Sequence, residues 1–305
     1  MKKLMVLGAL ALLGGCHHGG GGDGSSTMGP TLGMGNFTTF SAVRAGQMVS
    51  IVGVSTVVNG TVSAGMVTPT LPPAVDTAAS RATLSYDGTK TLAAVSAITP
   101  AGSISFNKGF GDTFNCNNGV CGLTNVAGAA SMIIVDPVNS TLGWNYQTFG
   151  VWNRVTAATS FDAGVFSVGN PTPGSAVPTT GTATFNGLAN GFFVDSTKSA
   201  FFTTAKMTAS ANFATQMITF ATTNTLTVNL STPAGVGIAS PGLNLTGSFS
   251  YPAGTNLFTG NVSSANGMTG SAIGRFYGPN AQEIGGMYNL SGTAGSMIGS
   301  FGGKQ

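Results

Sequence analysis

Apolar and polar residues alternate with a period of two over much of the C-terminal half of the chain. Ala183 and Phe185 alternate with threonine and asparagine in the segment 181–188, and the same pattern returns in the segments 207–213, 243–251 and 268–276. This period places one face of a strand in a core and the other in water. Gly270 and Gly274 share the apolar face, as is typical of a strongly curved sheet. Roughly eight such strands predict a small closed antiparallel β-barrel, which leaves no exposed edge.

Short apolar runs separated by turn residues mark the preceding part of the chain. These runs cover residues 48–58, 82–86, 132–135 and 144–155. They indicate several strands in a loop-rich domain. The uncharged, turn-rich stretch 169–175 is typical of a linker. We therefore predict an all-β fold, with a β-rich domain over residues 37–170 and an eight-stranded barrel domain over residues 171–305.

The N-terminus has the layout of a secretory signal peptide. Lys2 and Lys3 precede an apolar stretch over residues 4–13, and two glycines precede Cys16. This stretch is too short to cross about 30 Å of hydrocarbon as a helix. We predict that residues 1–15 are removed. Residues 16–36 are rich in glycine and serine and are expected to form a flexible tether.

The segment 13–16 resembles the lipobox of bacterial lipoproteins. The resemblance implies that Cys16 is lipidated with acyl chains such as palmitate, which anchor the protein to a membrane. By resemblance to the sorting of enterobacterial lipoproteins, His17 rather than aspartate after the cysteine implies the outer membrane.

Charge is scarce in this sequence. Only 6% of the residues are Asp, Glu, Lys or Arg, and the formal net charge is +3. Two of the positive charges lie in the predicted signal peptide, so the mature chain is close to neutral. Without a basic patch to neutralise phosphates, nucleic acid is not an expected partner.

Cys116 and Cys121 flank an Asn-Gly turn signal at residues 118–119. In an oxidising compartment they are expected to form a structural disulfide that closes this turn. The alternative is a redox or metal-binding pair. Their spacing differs from that of thioredoxin-like motifs, and no further cysteine or histidine stands nearby to complete a zinc site.

The predicted folded domains contain no histidine. Both histidines, His17 and His18, lie in the tether, where they make an incomplete metal site. Ser-His-Asp and Cys-His catalysis are thereby excluded, and the commonest axial ligand of haem is missing. The carboxylates are few and scattered, and nothing marks a catalytic pair. We therefore expect neither an enzyme nor a resident metal or cofactor, and we do not favour haem.

Several segments are similar to those of one protein family. Residues 276–286 (FYGPNAQEIGG) and 299–304 (GSFGGK) resemble the end of the β-barrel in transferrin-binding protein B-like surface lipoproteins, and residues 181–187 (GTATFNG) resemble its start. Residues 146–152 (YQTFGVW) are similar to a segment of the family's handle domain. The resemblance implies a single lobe, made of a β-rich handle and an eight-stranded barrel, tethered outside the outer membrane. It also implies ligand binding without catalysis.

These observations favour a binding protein for iron or haem acquisition or for host-protein capture. Its partners would be the membrane, through Cys16, and a host or envelope protein. Candidate ligand contacts are the aromatic residues and the arginine of one handle segment, because such residues often anchor interfaces: Trp144, Tyr146, Phe149, Trp152 and Arg154. The alternative is that this cluster forms the handle core.

The sequence also allows functions other than ligand capture. The protein could be a structural or adhesive envelope lipoprotein, or an integral outer-membrane barrel, although its strands lack obvious aromatic girdles. Glu283, a rare charge in the barrel, is expected to accept hydrogen bonds from backbone groups at the barrel rim; the alternative is that it contacts a ligand.

Overall fold

A computed structural model describes residues 31–32, 39–77, 80–139, 142–232 and 236–305. The predicted signal peptide, Cys16, both histidines and nearly all of the tether lie outside these residues. The described part contains two β-sheets and four three-residue 3-10 helices, at Phe40–Ala42, Lys108–Phe110, Gly174–Ala176 and Pro241–Leu243. None of its helices has the length and apolar character that crossing a membrane requires. The predicted all-β fold is confirmed.

The first sheet, which we call the handle sheet, contains the first twelve strands. Their bounds are β1 Thr31–Leu32, β2 Met48–Ser63, β3 Met66–Pro69, β4 Ala74–Asp76, β5 Arg81–Tyr86, β6 Leu92–Thr99, β7 Gly102–Asn107, β8 Thr113–Asn117, β9 Val120–Thr124, β10 Ala130–Val135, β11 Gln147–Ala157 and β12 Ser160–Gly169.

The handle sheet is strongly curled. Its main path runs β7-β6-β5-β2-β12-β11-β10-β9-β8, so β7 and β8 are its two edges. Only residues 108–112 connect these edges, and five residues span at most about 18 Å. The edges must therefore approach each other, and the concave side encloses a core that includes Ile51, Leu84, Phe106 and Trp152.

The remaining strands form the second sheet, the barrel. Their bounds are β13 Thr182–Asp195, β14 Ala200–Asn212, β15 Met217–Asn229, β16 Ile238–Ala239, β17 Leu245–Ser250, β18 Leu257–Ser264, β19 Thr269–Tyr277, β20 Glu283–Gly292 and β21 Gly295–Lys304. Eight of them follow the order β14-β13-β21-β20-β19-β18-β17-β15, and β14 also pairs with β15, which closes the circle. The short β16 pairs with β15 outside it. The predicted eight-stranded antiparallel barrel is thus confirmed.

Stacked phenylalanines fill the inside of the barrel. Phe185, Phe249, Phe258, Phe276 and Phe301 are each at most 1% exposed. The rings of Phe249 and Phe258 are nearly parallel, with centroids 5.7 Å apart. A Cβ built at Gly274 would lie 2.4 Å from Phe258 Cζ, so this inward glycine makes room for the aromatic core.

One wall of the barrel packs against the handle sheet. Val54, Val151 and Val165 of the handle form one buried cluster with Met287 and Ile298 of the barrel. Each hydrophobic side chain fully buried in such a cluster contributes about 1.5–3 kcal/mol. Consequently β20 and β21 are covered on both faces.

Polar bonds cross the same interface. Gln147 Nε2 donates to Ile284 O at 2.7 Å and to Gly303 O at 3.2 Å. Tyr277 Oη donates to Ser167 O at 3.0 Å, and Ser300 Oγ donates to Gly150 O at 3.0 Å. Buried polar groups require such partners, so these bonds fix the orientation of the two sheets.

Glycines on the barrel wall admit the handle side chains. A Cβ built at Gly285 would lie 2.0 Å from Gln147 Oε1 and 2.5 Å from Ser167 Oγ. At Gly302 it would lie 2.4 Å from Phe149 Cε1. The handle can therefore pack against the barrel in this way only because residues 285 and 302 are glycines.

Replacing Gly285 with Ala should force Gln147 out of place and lower the free energy of unfolding by about 2 kcal/mol. Urea denaturation measures this change. Gly88→Ala is the control, because a Cβ there meets nothing within 4 Å, and it should change stability by less than about 0.5 kcal/mol. Equal stabilities of the two variants would contradict the steric account.

Candidate ligand-binding surface

The aromatic cluster predicted from the sequence lies mostly in the interior. Trp144, Phe149 and Trp152 are 3%, 0% and 1% exposed, whereas Tyr146 and Arg154 are half-buried. Trp144 and Phe149 pack edge to face, with ring centroids 5.6 Å apart. The three buried side chains lie in the interior, as expected if this cluster forms the handle core. Of the five residues, a ligand could contact only Tyr146 and Arg154 unless the handle core repacked.

Arg154 is held by bonds within the handle. Its guanidinium forms a 2.8 Å ion pair with Asp162, and it donates to the backbone oxygens of Ala101 and Ser103. It thereby links β11 and β12 to the turn between β6 and β7. The ion pair and these hydrogen bonds account for the position of Arg154 without any contact to a ligand.

Tyr146 and its neighbours contact the start of β20. The buried Glu283 accepts hydrogen bonds from Asn145 N at 2.6 Å and from Tyr146 N at 3.1 Å. The expectation that Glu283 binds backbone groups at the barrel rim is confirmed, and those groups belong to the handle. Burial raises the pKa of Glu283 to about 7, against the opposing effects of the backbone donors and Lys304. The cross-strand neighbours of Glu283 are Lys304 on β21 and Tyr277 on β19.

This buried carboxyl should make stability depend on pH. Because the folded-state pKa lies above the ordinary 4.5, the folded chain binds the proton more tightly than the unfolded chain. The stabilisation that comes from protonated Glu283 is complete below about pH 4.5. It is lost as the pH rises through about 7, which lowers the free energy of unfolding by roughly 3 kcal/mol. Comparing unfolding free energies at pH 4.5 and 8 should show this fall in the wild type and a smaller one in Glu283→Gln. Identical pH profiles would contradict the assignment.

A different part of the handle carries the most exposed aromatic side chain among the described residues. Phe110 is 79% exposed and Val126 is 74% exposed. They lie on adjacent loops, because a Cβ built at Gly111 would be 3.5 Å from Val126 Cγ2. We call these two side chains the Phe110–Val126 patch.

The loops that present this patch are held by their own polar residues. Asp112 accepts from Asn107 N and from Val126 N, each at 2.8 Å, and so ties one loop to the other. Asn107 Oδ1 accepts from Gly109 N at 2.8 Å. On the second loop, Asn125 Oδ1 accepts from the backbone of residues 129 and 130. The patch is thus displayed on a fixed backbone.

Both loops begin at one end of a disulfide-closed hairpin. Thr113 of β8 pairs with Thr124 of β9 at the patch end, and the predicted Cys116–Cys121 disulfide joins the same strands as a cross-strand pair. A loop this short gains about 2 kcal/mol from cross-linking. The bond therefore stabilises the edge of the handle sheet from which the patch projects.

Phe110 is not among the binding residues predicted from the sequence. A usable signal was present, because Phe110 stands between two glycines and shortly before Asp112 in the segment 107–112. A large apolar residue in a glycine-rich turn has few neighbours to bury it. Within the described ranges, no group of three or more His, Cys, Asp or Glu residues is placed to hold a metal ion.

Comparisons with known proteins match the barrel to one family model. Residues 177–305 match the family described as the C-lobe and N-lobe beta barrels of Tf-binding protein B. No curated protein matches the sequence significantly.

Several solved structures are similar to this chain. They include a variant of transferrin-binding protein B from Haemophilus parasuis, with 14% identity, a TM-score of 0.46, and coverage of 74% of this chain and 51% of that one. Isotype 1 transferrin-binding protein B from Neisseria meningitidis has 17% identity, a TM-score of 0.43, and coverage of 82% and 43%. The N-lobe of lactoferrin-binding protein B from Moraxella bovis has 12% identity, a TM-score of 0.40, and coverage of 83% and 99%. The chain spans about half of the H. parasuis structure.

Proposed function

We propose that this protein is a surface lipoprotein that captures a protein ligand without catalysing a reaction, because residues 177–305 match the model of the beta barrels of Tf-binding protein B. The relatives named above are transferrin- and lactoferrin-binding proteins. By extension, the favoured ligand is a host protein of that kind, and capture would serve iron acquisition. The chain supplies one handle and one barrel for this task.

The Phe110–Val126 patch is the observation that supports capture most directly. An exposed phenylalanine has about 1.5–3 kcal/mol to gain from burial in a partner. The ordered loops around it reduce the entropy lost on binding, which favours affinity. Aromatic anchors of this type commonly dominate the energy of protein interfaces. The near-neutral chain should bind with little dependence on salt.

Replacing Phe110 with Ala should remove most of the capture while leaving the fold intact. The purified protein is used as bait for host serum, culture medium and envelope extract in separate experiments, and mass spectrometry identifies saturable partners. Phe110→Ala should weaken binding of the captured protein about tenfold or more. Its unfolding free energy should stay within about 0.5 kcal/mol of the wild type.

The matched control is Val236→Ala, because Val236 is 77% exposed on the barrel. This variant should bind like the wild type. Undiminished capture by Phe110→Ala would show that the patch is not the binding site. A partner found only in the envelope extract would replace the host ligand with a structural or accessory role.

Anchoring through Cys16 is proposed from the lipobox-like segment and the tether. Cys16→Ala should release the protein from membranes into the soluble fraction, whereas His18→Ala should leave it membrane-bound. Protease treatment of intact cells, followed by immunoblotting, tests exposure at the cell surface. Membrane retention of Cys16→Ala would point to a different anchor.

A further inference from the structure

The segment of residues 236–244 closes one side of a barrel opening. This segment contains β16 and the 3-10 helix Pro241–Leu243, and Leu243 is buried in the barrel core. Ser240 N donates to Thr225 O at 2.8 Å, and Asn266 N donates to Gly242 O at 2.8 Å. The segment is therefore bonded both to β15 and to the turn between β18 and β19.

A cleft of about 280 Å³ remains between this segment and the β13–β14 hairpin. Phe193 and Phe201 form one wall as a directly opposed cross-strand pair, with ring centroids 5.9 Å apart and planes 29° apart. Thr227, Ser240 and Asn266 supply polar groups. An apolar wall facing a few polar side chains is typical of small-molecule sites, and barrel mouths are a usual place for them.

A buried hydroxyl beside the cleft has no partner. Thr203 is 1% exposed, and its Oγ1 forms no hydrogen bond within the described structure. It lies two residues beyond Phe201 and directly opposite Thr227, which lines the cleft. Buried hydroxyls normally have a partner. A ligand atom that penetrates between Phe201 and Thr227 would satisfy the unpaired group, which lies behind these two lining residues.

The charged side chains around the cleft indicate which class of ligand it could bind. Among the described residues that line the cleft, none is cationic and Asp195 is the one acid. Asp195 Oδ1 already accepts from Thr197 N, Thr197 Oγ1 and Ser199 N. Phosphates and carboxylates would find no counter-charge here. A neutral pyranose ring instead offers a C–H face for the phenylalanines and hydroxyls for the polar groups.

We propose that this barrel-mouth cleft binds a neutral saccharide unit, at a site separate from the Phe110–Val126 patch. The test is saturation-transfer difference NMR on the purified protein with glucose, galactose and N-acetylglucosamine in separate titrations, and with toluene as a purely apolar probe. At least one sugar should bind saturably. Phe110→Ala should bind it as the wild type does.

Two variants locate the site. Gly242 lines the cleft, and a Cβ there has one close neighbour, Asn266 Cβ at 3.4 Å, so Gly242→Phe should fill the cleft and abolish binding. Gly88→Phe is the matched control, because that position is open, and it should bind normally. Thr203→Val keeps the side-chain shape and should weaken binding roughly two- to tenfold.

Three results would overturn the proposal. One is the absence of saturable binding with all three sugars, and another is binding that persists unchanged in Thr203→Val. The third is binding of toluene without any sugar, which would identify an apolar cavity instead. Because Thr203→Val preserves the packing volume, this variant should fold, and it tests the proposed sugar site even if Gly242→Phe fails to fold.

Discussion

The fit of handle side chains over glycines of the barrel wall is the constraint on which the rest of the structure depends. Gln147 and Phe149 occupy the space that side chains at Gly285 and Gly302 would need. The contact buries both faces of β20 and β21, and it creates the dry environment in which Glu283 binds the handle backbone. Handle and barrel are therefore packed against each other as one unit.

This packed unit explains how a small, nearly neutral protein could present a binding surface. The handle sheet is fixed along the barrel, and its far edge is reinforced by the Cys116–Cys121 disulfide. The loops beyond that edge are tied together by Asp112, so Phe110 is exposed on an ordered backbone. Exposure of a large aromatic in such a setting favours a partner that buries it. The rigid β framework places that surface on the handle and leaves the barrel mouth as a separate feature.

Much of the fold could be predicted from the sequence, but the interface could not. Free barrel strands such as β14 alternate apolar and polar residues, because only one face is buried. In contrast, β20 and β21 are buried almost continuously, because the handle covers their outer face. The alternation of apolar and polar residues is therefore lost in these two strands. The aromatic residues 144–152 stood out for their composition, yet composition does not distinguish a core from a binding site. Phe110 was missed because a lone aromatic in a loop has no periodicity.

Handle and barrel should unfold as one unit. Both tryptophans, Trp144 and Trp152, lie in the handle, so their fluorescence reports handle unfolding, whereas far-UV circular dichroism reports both sheets. We predict that the two signals follow one urea transition with the same midpoint. A tryptophan transition at lower urea, with barrel dichroism retained, would contradict the account and show that the handle is held independently of the barrel.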